Sequence, residues 1–327
     1  MRAKKTDYEK GVVDTLMKEA NLMSLIPIDT IGTMEVTTRR RNSVPTLNWR
    51  QRGQAYGSVP GATYDTITDS VFAVGGTVDI DKVDLKDKNL LEDPMSTRTK
   101  EVTDAMAWTL NDIILNGDHG VNPDAPEGIK TRLATLPTTQ IIYGSSSSAE
   151  LDVRISASPT TATMQQFLDK IDEARYACDG HDCDVVLTDA SFIRNLKAVL
   201  RRLNLYKNEK PTEPFVKPSG VRSTGSEWYN KSVFEWDGIK FFDMGLNAAQ
   251  TSTVVTTDTV NSVACMPAYF VKLGGDYLKL IQEYALDISK PFMLNDGVTW
   301  RTVIDWPVGI RHVHPRTMSV LRGVRVS

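Results

Sequence analysis

Three cysteines and four histidines are all that 327 residues offer to thiol or metal chemistry. Cys178, Cys183 and Cys265 cannot all pair within one chain, and nothing in their pattern points to an oxidising compartment. Cys178 and Cys183 flank His181, which gathers two sulfurs and an imidazole. The spacing is not that of a zinc module, however, and no second cluster exists, so the segment reads as a turn between a helix and a strand. His312 and His314 alternate, which on one strand puts them on one face; no third ligand stands near them in sequence, and they read as structural. A Gly-rich phosphate loop, a serine nucleophile elbow and a zinc-protease helix are all missing. No apolar run is long enough to span a bilayer. The first residues lack an apolar signal core, which leads us to expect synthesis in the cytoplasm. An excess of positive charge is missing too: 38 basic residues face 41 acidic ones, for a net charge of -3. That balance excludes a dedicated nucleic-acid binder. The remainder, 41% hydrophobic and 24% charged, is the composition of a folded chain with one large domain or two ordinary ones.

Against that background residues 34–74 stand out. Both flanks are rich in Thr, Val, Tyr and Ile, which suit a pleated strand, and Gly53, Gly57, Pro60 and Gly61 punctuate a turn between them. Arg39, Arg40, Arg41, Arg50 and Arg52 interrupt the apolar positions. A two-stranded hairpin of this kind buries too little apolar area to stand alone. It is expected to lie on another molecule, with Trp49, Tyr56 and Tyr64 beside the five arginines as the contact residues. Strand alternation sends Arg39, Arg40 and Arg41 to opposite faces, a poor phosphate patch, so pairing with a neighbour's carboxylates is the expectation.

The rest of the chain reads as a series of short elements. Residues 7–24 form an amphipathic helix. A half-buried strand from Gly75 should bury Val78, Ile80, Val83 and Leu85, with the double glycines of VGGTV and LGGDY as turns or bulges. A helix over 93–117 follows, with Asp93 as N-cap, Pro94 in the first position and Gly117 as a C′ stop. The next segment is turn-forming, and 133–159 reads as strands and loops with a serine run at 145–148. Thr163 opens a helix to Cys178, residues 185–187 form a buried strand, and 189–203 a second helix. A long surface loop spans 204–231, a hairpin turns at Asp237-Gly238, and strands dominate from 254 onward.

Several segments carry a family resemblance. TMEVTTRRR with TLNWRQRG, then VDIDKVDLKD before the long helix, then NGDHGVNPDAPEGI, then FLDKIDEARYACDGHDCDVVLTDASFIRNLKAV occur in an order that resembles the major capsid proteins of tailed bacteriophages, the Hong Kong 97-type fold. The resemblance implies an α+β chain with an N-terminal arm (1–33), an extended hairpin loop (34–74), a peripheral domain (75–130) built on the spine helix, an axial α/β domain (131–253) and a strand-rich return (254–327). It implies self-assembly through hexamers and pentamers into the icosahedral head of a double-stranded DNA phage. Portal and scaffolding proteins are then partners, a decoration protein can coat the shell, and packaged DNA is touched without sequence preference. The expected location is the virion, assembled in the host bacterial cytoplasm, with no membrane partner, no cofactor and no catalytic or metal site. A same-fold alternative is an encapsulin compartment holding protein cargo. The length and the 204–231 loop lean toward the phage. A metabolic α+β enzyme using His312, His314 and Asp305 is the reading from another class. Two departures from the family follow. Only about thirty residues precede the hairpin, so scaffolding is expected to be a separate protein. The hairpin holds no lysine, so no covalent weld between loops is expected.

Overall fold

One strand, Thr299–His312, organises the first half of the structure, a computed structural model that describes residue 22 and residues 25–41, 43–86, 94–145, 149–205, 233–247 and 251–326. Apart from Leu22, the expected helix 7–24 lies outside the described residues, as do Asp93, most of the serine run and nearly all of the 204–231 loop. Along one edge Thr299–His312 pairs antiparallel with Phe72–Asp81, in register from Thr299 opposite Asp81 to Val308 opposite Phe72. Along the other it takes Leu278–Gln282, Asp287–Ile288 and Phe292–Met293 in turn. Ile28–Thr30 adds a parallel edge strand.

Against this sheet lies helix α1, Pro94–Asn116, whose 23 residues span about 35 Å. Met95, Thr99, Thr103, Met106, Leu110 and Ile114 recur every three or four residues and form its buried face. The two buried threonines are satisfied within the helix, Thr99 Oγ1 donating to Met95 O and Thr103 Oγ1 to Thr99 O, each at 2.7 Å. The helix stops where the sequence says, but for another reason than a left-handed cap. Gly117 keeps an ordinary φ, and a Cβ there would stand 2.3 Å from Pro126 O. Close packing of the turn onto the helix end demands the glycine. Helix α2, Ile129–Ala134, follows; at 6 residues it is too short for a helical period to show in sequence.

The second sheet has the spatial order Ile141–Tyr143, Met318–Arg322, Ala268–Val271, Val185–Thr188, Ile239–Asp243, Val233–Trp236. Its two central strands, Val185–Thr188 and Ala268–Val271, are buried at every position and, Thr188 apart, read as apolar runs. Helices α3 (Thr161–Ala177) and α4 (Ala190–Arg202) meet through Phe167 and Phe192, edge to face at 5.4 Å between centroids. Asp189 caps α4 by accepting from Ser191 N. Thr160, and not Thr163, caps α3. Asp237 and Gly238 both take positive φ, the two-residue turn that matches strand twist.

Three further expectations fail here. The strand of the first sheet begins at Phe72 and ends at Asp81, so Val83 falls in a turn and Leu85 in a short 3-10 helix, and both are exposed. Gly75 and Gly76 sit in regular register opposite Asp305 and Ile304, in mid-strand rather than in a turn or bulge. Finally, 133–159 begins with the end of α2, which the reading of strands and loops omits.

Candidate intersubunit surface

The hairpin forms from Glu35–Arg41 and Tyr64–Ser70, paired from Glu35 opposite Ser70 to Arg41 opposite Tyr64. Val36, Thr37, Thr38, Thr66, Ile67 and Thr68 supply the β-branched side chains that favour extended backbone. Beyond Arg41 and Tyr64 the described tip, 43–63, has no regular secondary structure. A Ser43–Thr63 hydroxyl contact of 2.7 Å closes its base. Val44, Leu47, Trp49 and Tyr56 stand in solvent, and Trp49 is as accessible as in an extended peptide at 101%. Two arginines are held locally by rings: Arg39 over Tyr64 at 4.2 Å and Arg50 over Tyr56 at 5.0 Å. Arg50 Nη1 also donates to Gln54 O at 2.9 Å.

Arg40 behaves differently, and its expected pairing with a neighbour is replaced by contacts inside the chain. Alternation turns it inward, where Nε donates to Val313 O at 2.8 Å and Nη2 reaches His312 Nε2 at 3.2 Å. There it joins a buried cluster at the hairpin's root. Arg132, from α2, donates to Asp69 Oδ1 at 2.7 Å, His312 Nδ1 at 2.8 Å, Ile310 O at 2.9 Å and Glu127 O at 2.9 Å. Asp69, Arg132 and His312 are all buried. Burial pushes the Asp69 carboxyl above its usual range, although the Arg132 charge and hydrogen bond pull against it. Burial, followed by the charges of Arg132 and Arg40, brings His312 down to about 3. A neutral imidazole has one acceptor nitrogen, and two guanidinium donors face this ring. The shorter contact assigns the acceptor to Nδ1, facing Arg132. At the same root Gly309 admits Ser70 O, which would stand 2.4 Å from a Cβ.

The other sequence candidates are scattered. The long strand ends at His312, so His314 does not share its face. His314 Nδ1 instead accepts from Arg316 N at 3.2 Å, and Nε2 lies 3.9 Å from Asp179. Asp305 accepts from Tyr284 Oη at 2.6 Å and pairs opposite Gly75, well up the strand from His312. The enzyme trio is not assembled. Cys178 is buried near Ser319 Oγ at 3.5 Å, its thiol pushed up to about 11 by burial, while His181 points outward and donates from Nδ1 to Tyr176 O. Among the described residues no three His, Cys, Asp or Glu side chains are grouped to hold a metal ion. Likewise no helix among them is long and apolar enough to cross a membrane. Sequence reasoning missed Asp69 and Arg132, which lie 63 positions apart and carry no local signature.

No protein-family model matches the sequence, and no curated protein sequence matches it. Solved structures do. A holo-SrpI encapsulin complex from Synechococcus elongatus superposes with a TM-score of 0.60 at 11% identity, over 94% of this chain and 88% of that one. The capsid of a native GTA particle gives 0.60 at 10% identity, over 94% and 90%. Mycobacterium phage Bobi gives 0.58 at 11%, over 95% and 91%. The chain has the Hong Kong 97-type capsid fold. About one residue in ten is shared, so the likeness lies in the path of the chain.

Proposed function

We propose that this chain is the major capsid protein of a tailed double-stranded DNA bacteriophage, assembling through hexamers and pentamers into an icosahedral head. The observation that carries the reading is the hairpin. Trp49, Leu47 and Tyr56 are held in water at the end of a strand pair whose root is tied into the core, apolar area that a neighbour would cover. Likeness in fold to phage capsids supports the same reading. Arg39, Arg41, Arg50, Arg52, Trp49, Tyr56 and Tyr64 are assigned to the contact with the neighbouring subunit, and Arg40 to the hairpin's own anchorage. The arm, hairpin, peripheral domain, axial domain and return take the boundaries given by the sequence, except that 72–74 is assigned to the sheet. Portal and scaffolding proteins, and DNA met through its phosphates, complete the partners; the shell assembles in the bacterial cytoplasm and resides in the virion. The chain is assigned no catalytic role.

Likeness to the encapsulin complex supports a second reading, a compartment around protein cargo. Nuclease treatment of purified native particles separates the two. Genome-length double-stranded DNA should survive inside the shell. A protein-filled shell without protected DNA makes the chain a compartment protein, and a chain that enters no closed particle overturns both readings.

A further inference from the structure

The chain crosses from the second sheet to the first between Val271 and Leu278, and returns between His312 and Met318. The two crossings are tied to each other, His314 N donating to Asp276 O at 3.1 Å and Lys272 N to Thr317 O at 2.8 Å. Both are also tied to the turn that follows α3. Asp179 N donates to Arg316 O at 2.9 Å, the Asp179 carboxylate accepts from Tyr277 Oη at 2.7 Å, and Asp179 O accepts from Lys272 Nζ at 2.7 Å. The turn is strained. Gly180 and His181 take φ of +67° and +58°, the second without a glycine's freedom, and such a backbone persists only where its surroundings hold it.

His314 stands between the crossings and this turn. Its Nδ1 accepts from Arg316 N, so the neutral ring carries its proton on Nε2. Nε2 faces Asp179 Oδ1 at 3.9 Å, beyond hydrogen-bond distance. The ring lies edge-on to Tyr277, 5.8 Å between centroids, with Lys272 Nζ 4.6 Å from the centre of the tyrosine ring. The charged groups around His314 are therefore Asp179 across the gap, Asp276 and Lys272 on the other crossing, and Arg316 on its own. The Tyr277 hydrogen bond first, and then the charges of His314, Lys272 and Arg316, hold Asp179 below the usual carboxylate range against its partial burial. Asp179 is thus ionised where an imidazole titrates. A proton added at Nδ1 opposes Arg316 N–H and gives the ring a charge facing that carboxylate. The two side chains are 38% and 33% exposed, open enough to exchange protons with water.

We infer that His314 is a protonation switch: on gaining a proton its ring leaves Arg316 N and closes on Asp179, latching the strained turn onto both crossings. The neighbouring residue, Val313, accepts from Arg40 at the hairpin's root, so the latch stiffens the joint on which the hairpin is mounted. It acts within one subunit and needs no second copy.

Hydrogen exchange of the full-length subunit, read by mass spectrometry over 176–184 and corrected for intrinsic exchange rates, tests the switch. Between about pH 7.5 and about pH 5.5 an ordinary imidazole gains its proton. His312, brought down to about 3, does not. Protection of the turn should rise about two- to fivefold on acidification, the size of a part-exposed ion pair. The effect of His312 on global stability has the opposite sign and cannot produce that rise. His314→Gln and Asp179→Asn should each remove the rise. His181→Asn, which keeps a residue tolerant of positive φ, should retain it. Nitrogen NMR of histidine-labelled protein at the higher pH should show the His314 ring protonated on Nε2. No rise in the unaltered chain, a rise that survives His314→Gln, a rise lost in His181→Asn, or a ring protonated on Nδ1 overturns the switch.

Discussion

Arg132 and Asp69 bury opposite charges together at the hairpin's root, and such pairs are sensitive to the loss of one partner. Removing Arg132 leaves a carboxylate with no counter-charge at hydrogen-bond distance, so Arg132→Ala should destabilise the unassembled subunit by about 3–5 kcal/mol in urea unfolding. Arg301→Gln should shift the same curve far less, because the Arg301–Asp79 pair, although bidentate at 2.6 and 2.7 Å, is open to water. His312 gives a pH signature. Its folded pKa is depressed to about 3 from an ordinary value of about 6.5, so below that ordinary value the unfolded chain binds a proton that the folded chain refuses. Stability should be full above about pH 6.5 and fall by up to ~1.4 kcal/mol per unit as pH drops toward about 3. Asp69, with its pKa raised by burial, contributes in the opposite sense. Unfolding of the subunit at pH 5 and pH 7 should show the difference, and His312→Gln should remove most of it.

Among the elements, the hairpin concentrates the testable consequences. Its root is tied to the core through Arg40, Asp69 and Arg132, while its tip makes only local contacts in the described residues: Ser43 with Thr63, and Arg50 with Gln54 and Tyr56. Replacing 43–63 by an Asn-Gly turn should therefore leave a soluble subunit with an unchanged melting temperature that no longer forms shells. Closed particles of normal size from that variant would deny the tip a role between subunits. Residues 34–74 contain no lysine, so the hairpin cannot supply an isopeptide amine. Mature particles boiled in denaturant and reductant should run as one band near 36.3 kDa, and a resistant ladder would contradict this. Much of this element was legible: strands rich in Thr and Val, glycines and prolines between them, and too little apolar area for independence. The inward turn of Arg40 was not, since its partner Val313 lies 273 positions away and alternation alone does not say which face meets the core.

For the whole molecule, assembly is predicted to depend on salt. Arg39, Arg41, Arg50 and Arg52 are exposed, and charges at such sites are screened over about 8 Å at physiological ionic strength. Shells should dissociate at lower denaturant as salt rises, and changing these four arginines to Gln should weaken the shell and flatten that dependence while leaving the subunit's own unfolding in place. Light scattering across a salt series checks both. The sequence alone determined the extent of the long helix, the buried strands of the second sheet and the two strands of the hairpin, because periodicity and turn chemistry act over a few residues. Only the tertiary structure decided that the long strand stops at His312, that Gly75 and Gly76 lie in mid-strand, and that Asp69, Arg132, His312 and Arg40 form one buried cluster. Those outcomes depend on which distant backbone lies alongside. Asp69 and Arg132 are 63 positions apart and Arg132 and His312 180, beyond the reach of any local pattern, yet the fold brings them within hydrogen-bond distance.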